Sequence, residues 1–183
     1  MAERAAIITG ASSGIGLALA RMLGEEGYGL TLNGRRPEKL DTAVQELRGQ
    51  GFEVEAVAGS VAEEEVVQRV VAAHRERYGR LDVLCNNAGV GMGQPIAELR
   101  TKFLDIQLGA NLRSIPLFYR EALELLTAAG AEHRNALVVN TSSLSGKRGE
   151  AWLSVYSATK HAVVGFTEEI GRASCRERVS CCV

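Results

Sequence analysis

Residues 9–16 read TGASSGIG and stand between an apolar run, AAIIT (5–9), and a stretch with helical spacing, GIGLALARMLGEEG (14–27). Gly10, Gly14 and Gly16 give the spacing G-x-x-x-G-x-G rather than G-x-G-x-x-G. A strand that turns through glycines straight into a helix limits the fold more than any other feature of the chain. Glycine lets the backbone turn tightly and lets a phosphate approach where a Cβ would block it. The helix N-terminus then offers free N–H groups and partial positive charge, which suit a pyrophosphate. Ser12 and Ser13 add hydroxyl donors. Taken alone, the loop fits equally a tight turn that binds nothing.

The remainder of the chain repeats the same order. Strands are expected at 28–33, 52–58, 81–87 and 136–142, and helices at 37–51, 63–79, about 99–129 and about 154–171. Pro37 suits the first position of its helix, Gly27 and Gly51 suit helix stops, and the acidic start of EEEVVQRVV suits the helix dipole. In the first helix, Ile15, Leu19, Met22 and Leu23 fall at helical spacing and predict its apolar face. Strand alternating with helix predicts an α/β fold with a parallel sheet covered on both faces. With 183 residues and no repeat or low-complexity linker, one domain is expected.

Composition removes several function classes. Apolar residues are 46% and charged residues 23% of the chain, which argues against wholesale disorder. A net charge of -1 gives no basic face for nucleic acid. No apolar run reaches membrane-span length, and MAERAAIITG lacks the apolar core of a signal peptide, so a cytoplasmic protein without a membrane partner is expected. Cys85 lies in an apolar run and reads as a buried thiol. Cys175, Cys181 and Cys182 have no histidine at ligand spacing, so no metal is expected. His74 and His133 read as exposed.

Four motifs, TGASSGIG (9–16), NNAG (86–89), NTSS (140–143) and YSATK (156–160), resemble in sequence and order the short-chain dehydrogenase/reductase family, from residue 5 to about 171. The resemblance implies a Rossmann-type doubly wound parallel sheet, an NAD or NADP cofactor, and a catalytic set of Asn111, Ser143, Tyr156 and Lys160. Ser142 is the fallback for Ser143. It also implies cofactor contacts from Gly10, Ser12, Ser13, Gly14, Ile15 and Gly16, from Asn87, Ala88 and Gly89, and from Tyr156 and Lys160, the lysine on the ribose hydroxyls. Ser60 stands where the family usually has an aspartate near the adenine amine, and Val61 is expected to offer its backbone.

The chemistry accounts for these residue types. As hydride reaches a carbonyl carbon, charge grows on oxygen and must be met by a proton. A free phenol, with a pKa near ~10, is poorly matched to neutral pH, and a nearby ammonium favours the phenolate. Lys160, at i+4, lies on the helix face of Tyr156. Ser143 would hydrogen-bond the carbonyl oxygen, and Asn111 would anchor a water linking Lys160 to solvent. Alone, Tyr156 and Lys160 would read as surface residues, and Ser142 and Ser143 as a strand cap. A Ser143–His161 hydrolase lacks an acidic group in any recognisable context to orient the histidine.

At the end of the second strand, NAD enzymes carry an acid and NADP enzymes favour an arginine. Here Gly34 occupies that place and Arg35 and Arg36 follow, which predicts NADP with NAD as the lesser option. After residue 171 the family pattern stops: RASCRERVSCCV (172–183) brings three cysteines and the basic residues Arg172, Arg176 and Arg178, with no sheet element expected. The reading is thus an incomplete NAD(P)-binding Rossmann domain over 1–171, missing its last strands, and an aberrant or disordered tail over 172–183. The function expected is NADP(H)-dependent interconversion of a carbonyl and an alcohol on a small molecule. The alternative is a truncated, non-catalytic dinucleotide-binding or oligomerising fragment. The family implies a homodimer or homotetramer paired through the two long helices.

Overall fold

The computed structural model describes residues 2–133, 135–173 and 179–183. The side chains of His133 and Arg172, and the whole of Cys175, Arg176 and Arg178, lie outside the described residues. In chain order the elements are β1 (Arg4–Thr9), α1 (Gly14–Glu25), β2 (Tyr28–Gly34), α2 (Pro37–Gly49), β3 (Val54–Ala58), α3 (Glu64–Tyr78), β4 (Val83–Asn86), α4 (Thr101–Leu108), α5 (Ser114–His133), β5 (Ala136–Asn140), α6 (Ser154–Ala173) and β6 (Val179–Cys182). The strands form one sheet in the order β3-β2-β1-β4-β5-β6, and every pair is parallel. This is a Rossmann-type doubly wound sheet. The chain winds outward in both directions from β1 and β4, so their carboxyl ends bound a crevice suited to a ligand.

Period-two alternation in β1 explains the two-sided burial. Ala6 and Ile8 join a core with α1 and α2 that contains Ala20, Leu40, Val44 and Leu47. Ile7 points the other way, into a core with α3 and α5 that contains Val67, Val70, Phe118 and Leu126. Cys85 is buried as expected, and burial pushes its thiol up to about 12, out of the range of a useful nucleophile.

Four expectations are corrected. The tail does supply a sheet element: β6 pairs with β5 from Ala136↔Val179 to Val139↔Cys182. Its alternation is the reason, since Val179 is buried in the α3/α5 core and Cys181 packs against it while Ser180 and Cys182 are exposed. In α1, Leu19 and Leu23 pack against the core as expected, but Ile15 and Met22 are 66% and 62% exposed, and the fully buried positions are Gly16, Ala20 and Gly24. Small residues win there because the contact is close: a Cβ on Gly24 would lie 2.5 Å from the Phe52 ring. The expected helix over 99–129 is α4 and α5 joined by a π turn at Gly109–Arg113, the turn that carries Asn111.

His74, expected to be exposed, is fully buried. Its Nε2–H donates to the Arg80 carbonyl (2.7 Å), so Nδ1, 2.8 Å from Thr31 Oγ1, accepts from the threonine hydroxyl. Both nitrogens of a neutral ring are satisfied, and desolvation lowers the group from 6.5 to about 4. Between these values the unfolded chain binds a proton that the folded chain refuses. The stability contributed by neutral His74 is therefore full above pH 6.5 and is lost as pH falls toward 4. Urea unfolding at pH 7 and pH 4.5 is expected to show a loss about 2–3 kcal/mol smaller for His74→Gln than for wild type.

Candidate active site

The glycine loop holds the geometry its sequence demands. Gly10 has φ 65°, and a Cβ there would lie 2.9 Å from Ala88 Cα. A Cβ on Gly16 would lie 2.5 Å from the Gly10 carbonyl oxygen and 2.7 Å from Asn87 Nδ2. Ser13, the cap residue of α1, makes no side-chain cap bond, which leaves the helix start free for another acceptor. Thr9 braces the loop from below: its Oγ1 accepts from the N–H groups of Asn87 and Ala88 (3.0 Å each), and its carbonyl accepts from Asn87 Nδ2 (3.1 Å).

A cleft opens above this cradle, lined by Gly10, Ser12, Ser13, Asn33, Gly34, Arg35, Arg36, Val61, Ala88, Gly89, Val90 and Ala110. Arg35 and Arg36 stand exposed at its rim. Gly34 is tight against the floor, where a Cβ would sit 3.2 Å from Ser12 Cβ, so a larger side chain there would crowd Ser12. Gly14, Ile15 and Gly16 form the first turn of α1 beside the cleft, with Ile15 pointing to solvent. Asn87 braces the loop rather than lining the cleft. Ser60 is turned inward, its Oγ accepting from Ala62 N (3.4 Å), while Val61 is buried and forms cleft wall. Asn33, which the sequence did not single out, hooks this wall in place by donating to the carbonyls of Val57 (2.9 Å) and Gly59 (3.2 Å).

The other half of the site is carried by α6. Lys160 is buried at 4% exposure, donates to the Thr141 carbonyl (2.7 Å) and lies 5.8 Å from the centroid of the Tyr156 ring. Desolvation holds Lys160 below the ordinary ammonium range. The two serines separate by their bonds. Ser142 Oγ donates to the Lys160 carbonyl (2.9 Å), so its proton is used. Ser143 Oγ accepts from Ser145 N (3.2 Å) and keeps its own proton for another partner. His161 donates from Nδ1 to the Ser157 carbonyl of its own helix (2.8 Å), which turns it away from any role with Ser143.

Asn111 is buried at 1% exposure, and its carboxamide is engaged by protein groups. Its Oδ1 accepts from Val90 N (2.7 Å), and Nδ2 donates to the Val90 carbonyl (2.8 Å) and to Thr159 Oγ1 (3.2 Å). Thr159 in turn donates to the Tyr156 carbonyl (2.7 Å). Asn111 thus ties the segment after β4 to the helix of Tyr156 and Lys160. The two halves of the site meet at Gly89. It lines the cleft, and a Cβ on it would lie 3.3 Å from Asn111 Oδ1 and 3.5 Å from Lys160 Nζ.

Comparison with known proteins agrees with this geometry. The profile of the short chain dehydrogenases matches residues 4–183. The chain is 40% identical over 172 residues to a putative ketoacyl reductase of the granaticin polyketide synthase of Streptomyces violaceoruber, covering 93% of this chain and 62% of that protein. The actinorhodin polyketide ketoreductase, solved with NADPH, superposes with a TM-score of 0.87 at 38% identity, over 98% of this chain and 69% of that one. A short chain dehydrogenase/reductase from Burkholderia phymatum, solved with NAD, gives 0.91 at 31% identity, over 97% and 63%. The chain spans 62–64% of the length of the curated ketoacyl reductases it matches. The motifs, the sheet order and these matches agree: the chain belongs to the short-chain dehydrogenase/reductase family.

Proposed function

We propose that the protein is an NADP(H)-dependent oxidoreductase that interconverts a carbonyl and an alcohol on a small molecule. The observation that carries the reading is Gly89, which is at once floor of the glycine-cradled cleft and neighbour of Lys160 Nζ. A dinucleotide lying in that cleft would have its reactive end beside Tyr156 and Lys160. The cradle fits such a group, because close packing at Gly10 and Gly16 shapes the turn, nothing lies within 4 Å of a Cβ built on Gly14, and the start of α1 is uncapped. Gly10, Ser12, Ser13 and the first turn of α1 would hold the pyrophosphate, Ala88, Gly89 and Val61 the adenosine, and Lys160 the ribose hydroxyls.

The nicotinamide, when bound, supplies the hydride that forms the new C–H bond at the carbonyl carbon. Ser143 donates a hydrogen bond to the carbonyl oxygen and meets the charge that grows there. Tyr156 gives that oxygen its phenolic proton, and the Lys160 ammonium favours the phenolate left behind. Asn111 and Thr159 fix the height of the helix that presents both groups. The test is to incubate the purified chain with NADPH and a panel of ketones that includes ethyl acetoacetate and cyclohexanone, and to follow NADPH absorbance. Consumption of NADPH dependent on a ketone supports the reading. NADPH binding without turnover of any ketone supports the alternative, a dinucleotide-binding fragment. The same reading places the protein in the cytoplasm as a homodimer or homotetramer paired through its long helices.

The preference for NADP over NAD is assigned to Arg35, with Arg36 beside it, since a guanidinium can grip a 2′-phosphate through two parallel bonds. Charge-assisted hydrogen bonds contribute about 1.5–3 kcal/mol, so Arg35→Ala is expected to weaken NADPH binding about 10–100-fold. NADH affinity should stay within a factor of about 2, because the 2′-hydroxyl offers no charge to lose. Fluorescence titration of both nucleotides checks this, and tighter binding of NADH than NADPH by the wild type would reject the assignment.

A further inference from the structure

Gln107 is one of the most deeply buried polar side chains among the described residues, at 1% exposure, and it lies outside every motif considered above. It sits in α4 one helical turn before Asn111. Its Oε1 accepts from Met92 N (3.1 Å) and its Nε2 donates to the Phe103 carbonyl (3.2 Å). The amide orientation follows from these partners, since the reverse would place an N–H against the Met92 N–H. The segment 90–94 is thus held at alternate residues: Val90 by Asn111, Met92 by Gln107, and Gln94, whose N–H donates to the Trp152 carbonyl (2.7 Å).

The intervening residues are glycines that face α6 and the residues just before it. A Cβ on Gly91 would lie 3.6 Å from Cε2 and 3.7 Å from Cδ2 of Tyr156, and one on Gly93 would lie 3.3 Å from Leu153 Cδ2. The backbone of Gly91 therefore faces the Cδ2–Cε2 edge of the Tyr156 ring across a gap wide enough for a methyl group. Its height above that ring is set by the bonds to residues on either side. Asn111 fixes the near side through Val90, and Gln107 fixes the far side through Met92. An apolar residue at 107 would pack as well in the core but would leave the Met92 N–H without its partner.

We propose that Gln107 is a positioning residue which, through Met92, holds Gly91 opposite the Cδ2–Cε2 edge of the Tyr156 ring and so sets the width of the space in which the carbonyl meets the phenol. The proposal rests on the function assigned to Tyr156 above, and its first readout does not depend on turnover. Tetranitromethane nitrates a tyrosine at either Cε, and Gly91 faces Cε2 and narrows the approach to it. In Gln107→Met, whose side chain is close in volume, nitration of Tyr156 mapped by mass spectrometry is expected to rise several-fold relative to Tyr28, with NADPH affinity unchanged. Gln107→Leu replaces it should the first variant not fold. An unchanged Tyr156-to-Tyr28 ratio in the folded variant overturns the proposal.

Where the wild type turns over ethyl acetoacetate, the same variant is expected to lose about 10–100-fold in kcat, the order produced by a small misplacement of reacting groups. KM for NADPH should not move, because the glycine cradle is untouched. A fall in NADPH affinity with kcat preserved would show a merely structural role and overturn the assignment. Absence of turnover in the wild type would defeat the proposed function alone, and the nitration ratio would still decide the role of Gln107.

Discussion

Tyr156→Phe is expected to lower the rate of ketone reduction by about 10²–10⁴-fold, the span associated with a positioned general acid. NADPH affinity should stay near the wild-type value, because the ring, its place opposite Gly91 and the Lys160–Thr141 bond all remain. The change removes one oxygen that makes no hydrogen bond with the described residues, so thermal stability should also hold. Steady-state kinetics beside an NADPH titration separates these effects. A variant that keeps most of its activity would remove Tyr156 from the proton-transfer role and leave Ser143 as the group facing the carbonyl.

Gly16→Ala is expected to damage both cofactor binding and stability. The added Cβ would stand 2.5 Å from the Gly10 carbonyl oxygen and 2.7 Å from Asn87 Nδ2, and the nearest of these is backbone that cannot swing aside. Overpacking of this kind costs about 1–3 kcal/mol, and displacement of the loop would add the loss of its phosphate contacts. A fall of about 100-fold in NADPH affinity, equal to roughly 3 kcal/mol, is the expected result. Gly14→Ala is the comparison for stability. It has a positive φ of 58° but nothing within 4 Å of a Cβ, so its cost to folding should be the left-handed strain alone, about 1–2 kcal/mol, while its methyl group would still stand in the nucleotide cradle. Thermal unfolding and nucleotide titration of the pair test the ordering.

Much of this molecule was legible from local signals. Each of the first five strands and the helices between the first four declare themselves by period, by glycine stops and by Pro37, and their parallel order follows from the alternation, whereas the π turn that divides α4 from α5 does not. What stayed hidden depended on partners distant in sequence. His74 looked like a polar residue on a charged helix, and only Thr31 and the Arg80 carbonyl make it a core residue. Gln107, Thr159 and Asn33 act by bonding backbone or side chains far along the chain or a turn away, which spacing does not reveal. The face of α1 is legible in part: Leu19 and Leu23 pack against the core, but where hydrophobicity points to Ile15 and Met22, close approach to the Gly10 carbonyl, Asn87 and Phe52 selects Gly16 and Gly24. β6 was missed because a four-residue strand with two cysteines carries little signal until β5 offers it an edge. The distinction between Ser142 and Ser143, open in the sequence, rests on which hydroxyl proton is already given to a backbone carbonyl.

The most direct measurement is transfer of label from NADPH deuterated at the nicotinamide C4 to a ketone, with the alcohol product read by mass spectrometry for the wild type and for Tyr156→Phe. The account predicts deuterium on the carbinol carbon of the wild-type product and almost none from the variant, while both bind NADPH equally. NADPH bound by the wild type with no labelled alcohol from any ketone of the panel, or equal labelling by both proteins, would contradict it.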